Sequence, residues 1–205
     1  MARTITRLFD SRTDALEAAH ELERMGIPDR DISIIASNKD RWFDGDISKR
    51  GDLRSGAKHD RDGDGRDDRG EGAVKGATTG GILGAGAGLL AGLGLIAIPG
   101  LGPVVAAGWL ASTATGAAAG AVAGGAVGGL VAALTDAGVP EEEAHVYSEG
   151  VRRGGTVLVV RADESEVSAI EAALNRYRPT DIRTRGNEYR QSGWTRFDPN
   201  SPPPL

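Results

Sequence analysis

The sequence predicts an α+β protein: a split βαβ…βαβ sheet domain interrupted by a Gly/Ala-rich hydrophobic helical hairpin. Two observations carry this. Strand–helix–strand patterns occupy residues 4–36 and again 156–185, and a half of about thirty residues is too small to be stable alone, so the two should pair. Between them, from Lys75 to Asp136, sixty residues pass without one charged side chain or histidine. The expected organisation is a first βαβ half (1–36), a charged flexible linker (37–75), the hairpin (76–135), a helix plus the second half (136–185) and a disordered tail (186–205).

In the first half, Thr4-Ile5-Thr6-Arg7-Leu8-Phe9 alternates at the strand period. Asp10 or Ser11 then caps a helix whose apolar positions are Ala15, Leu16, Ala19, Leu22 and Met25. Gly26 is the expected stop, with Pro28 beyond it, and Ile32, Ile34 and Ile35 supply a second strand.

The linker is rich in Asp, Arg, Gly, Lys and Ser, a composition that cannot bury enough apolar surface to order itself. It contains Asp60, Asp62, Asp64, Asp68 and Glu71 at the spacing of a calcium loop. Asp67 stands where such a loop has an apolar anchor, and no amphipathic helix flanks it. A solvated linker is therefore the expected reading.

Glycine and alanine fill 34 of the sixty uncharged positions. Gly76, Gly80, Gly84, Gly88 and Gly92 stand four apart, as do Gly108, Ser112, Gly116, Gly120, Gly124 and Gly128. On helices such a series makes a groove without side chains, suited to close backbone packing. The spacing predicts helices over about Gly76–Ile98 and Val104–Leu134, turned at Pro99, Gly100, Gly102 and Pro103. Their length and lack of charge predict transmembrane helices packed as a glycine zipper, with all Lys and Arg on the terminal flanks and both termini cytoplasmic. Bare Gly-x-Gly-x-x-Ala matches inside this run lack the preceding strand and acidic ribose partner of a dinucleotide site.

Beyond the hairpin, Pro140 fits the first position of a helix, with Glu141-Glu142-Glu143 and Arg152-Arg153 complementing its dipole and Gly154-Gly155 ending it. Thr156–Arg161 is a continuous apolar strand suited to burial on both faces, and Asp163 or Ser165 caps a helix carrying Val167, Ile170, Leu174 and Tyr177. Asp181–Arg185 reads as a short charged edge strand. Paired, the halves make a sheet of the ferredoxin-like kind with its helices on one face.

Several of these segments together resemble the bacterial heat-induced, general stress protein domain. They are Ile5-Thr6-Arg7-Leu8-Phe9-Asp10-Ser11-Arg12, Met25-Gly26-Ile27-Pro28, Asp31-Ile32-Ser33-Ile34-Ile35, the Ile98–Pro103 turn, and Ala144-His145-Val146-Tyr147 through Arg153-Gly154-Gly155. The resemblance covers roughly residues 3–185. It implies a stress-associated bacterial protein, often of the membrane or glycine-zipper type, and brings no catalytic residues with it.

Composition narrows the function further. The absence of cysteine removes disulfides, thiolate metal sites and a Cys nucleophile, and suits a reducing compartment. No apolar run follows a basic start, so no secretory leader is expected. His20, His59 and His145 fall in different elements, with His20 and His145 expected on helix surfaces. Lys and Arg are interleaved with acids, which argues against nucleic acid as a partner. The expected protein is thus non-enzymatic and cofactor-free, a homo-oligomer at the inner membrane whose α+β domain meets a protein partner. The alternative is a soluble, cytoplasmic, oligomeric regulatory or small-ligand-binding module with the hairpin as its assembly core.

Overall fold

The computed structural model describes residues 2–42, 94–98, 101–110 and 129–201. The described residues belong to one compact unit.

Its elements are β1 (Ala2–Phe9), α1 (Arg12–Arg24), a 3-10 turn (Asp29–Asp31), β2 (Ile32–Ser37), β3 (Gly94–Ile98), β4 (Gly102–Ala107), α2 (Gly129–Asp136), α3 (Glu141–Arg152), β5 (Thr156–Asp163), α4 (Val167–Asn175) and α5 (Ile182–Gln191). The protein is α+β, with one antiparallel sheet in the order β1-β5-β2-β4-β3. β5 runs between β1 and β2, pairing Ala2 with Asp163 through Phe9 with Thr156 on one side and Ile32 with Val160 through Ala36 with Thr156 on the other.

Local signals explain the first half. The Ser11 hydroxyl accepts from the Asp14 N–H at 3.2 Å and caps α1. At the other end Gly26 takes φ +89°, and the Ile27 N–H reaches the Leu22 carbonyl at 3.1 Å. Period-two alternation then sorts side chains between two cores. Ile5, Phe9, Ile32, Ile34, Leu158 and Val160 face α1 and α4, where Ala15, Ala19, Leu22, Ile170 and Leu174 meet them. Leu8, Ile35, Val157 and Val159 face the other way, onto Leu130, Leu134, Ala144, Tyr147 and Val151 of α2 and α3. Helices therefore cover both faces of the sheet, not one as expected.

The uncharged run departs most from its sequence reading. Where helices were expected to end and begin, Gly94–Ile98 and Gly102–Ala107 are paired strands, with Ile96 opposite Val104. Val105 and Ala107 join one core while Val104 and Ala106 join the other, the alternation of a strand. Glycine disfavours helix by about 1 kcal/mol each, and the Ile/Val pairs flanking the Pro-Gly segment suit a pleated sheet better. Among the described residues no helix is long and apolar enough to cross a membrane, which overturns the transmembrane-helix expectation. Gly76, Gly80, Gly84, Gly88, Gly92, Ser112, Gly116, Gly120, Gly124 and Gly128 lie outside the described residues, as do Pro99 and Gly100. So do Asp60, Asp62, Asp64, Asp68 and Glu71. Gly102 and Pro103 begin β4 rather than forming a helical turn.

Gly108 is described, and its role differs from helix packing. It takes φ +84°, and a Cβ there would stand 2.1 Å from the Ile32 carbonyl oxygen. Only glycine lets the chain leave β4 this close to β2. Two residues on, the Leu110 N–H donates to the Ser33 hydroxyl at 3.0 Å.

Further corrections concern the second half and the tail. Asp181 opens a helix, not a strand, because its carboxylate accepts from the Thr184 N–H at 2.7 Å and so caps α5. In place of the closing strand there is one bridge, the Thr180 N–H donating to the Leu8 carbonyl at 2.7 Å. Pro140 is the N-cap of α3 rather than its first residue, and Glu166, not Asp163 or Ser165, precedes α4. The tail is also docked as far as Ser201: Phe197 is 1% exposed within the α2–α3 core, and Trp194 meets Tyr189 edge-on at 5.6 Å.

Candidate functional site

The site is built at the C-terminal end of α3. Glu149 lies one helical turn before Arg152 and Arg153, a spacing that places all three on neighbouring positions of the helix surface. Its carboxylate is fully buried, 2.6 Å from the Arg152 guanidinium and 2.7 Å from that of Arg153. Two guanidinium groups sharing one carboxylate leave surplus positive charge. Arg152 also lies 5.6 Å over the Phe197 ring and Arg153 4.5 Å over that of Tyr189, so both are held by aromatic faces as well.

α3 is seated close to the sheet because it lacks a side chain where it crosses Leu8. A Cβ at Gly150 would meet the Leu8 methyls at 2.8 Å, and one at Gly155 would stand 2.9 Å from the Gly150 carbonyl. The helix then stops at Gly154, φ +105°, and the Gly155 carbonyl accepts from the Ser37 N–H at 3.5 Å. That contact brings the end of β2 beside the two arginines. Lys39 follows, its ammonium donating to the Arg152 carbonyl at 2.7 Å and so covering the negative end of the helix dipole.

The third wall comes from α1. Arg12 pairs with Asp40 at 3.1 Å, and its guanidinium stacks 4.2 Å above the Trp42 ring. Trp42 is fixed in turn by its indole N–H, which donates to the Ser37 carbonyl at 2.8 Å. Arg12, Ser37, Lys39, Asp40, Arg152 and Arg153 thereby line one cleft of about 480 Å³. Four cationic residues and one carboxylate, Asp40, line the cleft, with Glu149 buried beside Arg152 and Arg153, within a chain whose net charge is −5. The cleft offers charged donors held in place by packing, the complement of a multivalent anion.

Sequence reading assigned Arg152-Arg153 to helix-dipole balance and Lys39-Asp40 to a linker, and missed the cleft they share. The Glu149-x-x-Arg152-Arg153 spacing was the available signal for the buried cluster. Among the described residues no group of three or more His, Asp or Glu side chains could hold a metal ion. His20 is exposed as expected. His145 is not: it is 7% exposed, its Nε2 stands 3.7 Å from Glu141, and burial together with nearby Arg196 lowers its pKa. The Tyr147 hydroxyl donates to the Thr6 carbonyl at 3.0 Å; burial pushes its pKa well above the usual phenol range and its role is structural.

Comparison with family models, curated proteins and solved structures gives no match for this chain.

Proposed function

We propose that the chain is a non-enzymatic regulatory module that takes a small multivalent anion in the cleft between Arg12, Lys39 and Arg152-Arg153. The single observation carrying this is the fixing of those cations. Arg12 is held by Asp40, Lys39 by the Arg152 carbonyl, and Arg152 and Arg153 by Glu149 of their own helix and by the Phe197 and Tyr189 rings, so little side-chain entropy remains to be lost on binding. Glu149 supplies only one negative charge for two guanidinium groups; Arg152 is buried and also donates to the Ser201 carbonyl at 3.5 Å, so the half-buried Arg153 is the one that keeps N–H donors for a ligand oxygen. Asp40, exposed on the rim, would yield Arg12 to the ligand.

The β1–α1–β2 crossover around β5 supports reading the scaffold as a ferredoxin-like sheet widened by β4 and β3. The cysteine-free sequence supports work in a reducing compartment. The resemblance to the general stress domain rests on its sequence motifs and supports a regulatory setting over a metabolic one. Isothermal titration with pyrophosphate, inorganic phosphate and a neutral disaccharide tests the reading. Pyrophosphate should bind best, more weakly as salt rises, and at least tenfold more weakly to Lys39→Ala. Equal heats for pyrophosphate and the sugar, or a Lys39→Ala isotherm identical to wild type, would sink it.

A further inference from the structure

The two edges of the sheet are treated differently, and the difference identifies an assembly surface independent of the cleft. The β1 edge is guarded. Thr180 takes up the Leu8 carbonyl at 2.7 Å, while Arg3 and Arg7 put charge on the strand, paired at 3.2 Å with Glu164 and Glu171. These are the usual devices that keep an edge from recruiting another chain. At the opposite edge, β3 reads Gly-Leu-Ile-Ala-Ile and among the described residues pairs on one side only, with β4. It has no charge and no proline, and no charged residue occurs from Gly76 to Thr135.

We propose that β3 pairs with β3 of a second copy, antiparallel about a two-fold axis at Ile96, making one continuous sheet across a dimer. The occupant follows from charge and symmetry. Chains of net charge −5 repel one another, and β3 with its neighbour β4 carries no charged residue, so copies can approach closely along this edge. A five-residue strand centred on Ile96 is its own antiparallel complement: Leu95 then faces Ala97 of the second copy and Gly94 faces Ile98, with no like charges opposed. Such a contact is isologous and closes at two copies, so each β3 edge is consumed by the other.

The absence of native cysteine makes the register directly testable. Opposed antiparallel residues have Cα atoms about 4.5–5.5 Å apart, within the span of roughly 4.4–6.8 Å that a disulfide bridges. Under mild oxidation full-length Ile96→Cys should therefore form a covalent dimer. Ile98→Cys should not, because its two copies would sit about 13 Å apart along the strands. Sedimentation of the unmodified chain should give a dimer mass, and Ile96→Lys should give half that mass with an unchanged far-UV spectrum. A wild-type monomer at every concentration overturns the proposal. So does a dimer in which Ile96→Cys fails to crosslink, or in which Ile98→Cys crosslinks equally well.

Discussion

Glu149 and Arg152 meet at 2.6 Å at the end of α3, the carboxylate fully buried and the guanidinium only 6% exposed. A pair this deep adds little over an apolar replacement, yet removing one member strands the other. Glu149→Gln should accordingly destabilise the fold by about 3–5 kcal/mol, read as a lowered urea midpoint, because Arg152 loses its counter-charge in the core. A midpoint within error of wild type would show that water or another group compensates Arg152.

Phe197 anchors the tail, its ring 1% exposed and facing the Arg152 guanidinium. Phe197→Ala should cost about 3–5 kcal/mol and make the chain after Gln191 susceptible to limited proteolysis. Stability and cleavage pattern equal to wild type would mean that the tail is not part of the core.

Gly108 and Gly26 separate crowding from backbone conformation. Both have positive φ, but a Cβ at Gly26 meets nothing within 4 Å whereas one at Gly108 strikes Ile32. Gly26→Ala should cost about 1 kcal/mol from conformation alone. Gly108→Ala should cost clearly more, since the β2–β4 approach must open. Equal thermal midpoints for the two variants would contradict the account of this turn.

His145 makes stability fall as pH drops through the ordinary histidine range. Burial, then Arg196, lowers its pKa in the fold, while Glu141 and the Phe197 backbone act the other way with smaller effect. The unfolded chain therefore takes up the proton first. The stabilising contribution is complete above the unfolded value of about 6.5 and is lost as pH falls below it. Asp181 and Asp198, whose pKa values are lowered by hydrogen bonds from Thr184 and from Asn200 and Ser201, lose their contributions only below the ordinary carboxylate range. Urea midpoints measured from pH 8 to 5 should fall for wild type and stay flatter for His145→Gln. Parallel curves would assign the dependence to other groups.

What was legible in the sequence was local. Ser11, Gly26 and the alternation of β1, β2 and β5 each follow from a contact within a few residues or from period two. α5 was legible too, since Ile182, Gly186 and Tyr189 have helical spacing behind the Asp181 cap, but its many charges suggested an edge strand. At β3 and β4 a four-residue glycine period outweighed the alternation of Val104, Val105, Ala106 and Ala107, although glycine spacing carries no preference for helix. The cleft was not legible. Arg12, Lys39 and Arg152 are far apart in sequence and meet only once β5 is placed between β1 and β2 and α3 is seated on Leu8. Phe197 was hidden likewise, because its burial depends on a core assembled by α2 and α3.

The most direct test of the anion cleft is a titration of isotope-labelled full-length protein with pyrophosphate, followed by backbone amide shifts. Saturable changes confined to Arg12, Ser37–Asp40 and Arg152–Gly154 are the predicted result. Shifts scattered over the surface without saturation, or centred away from these residues, would contradict it.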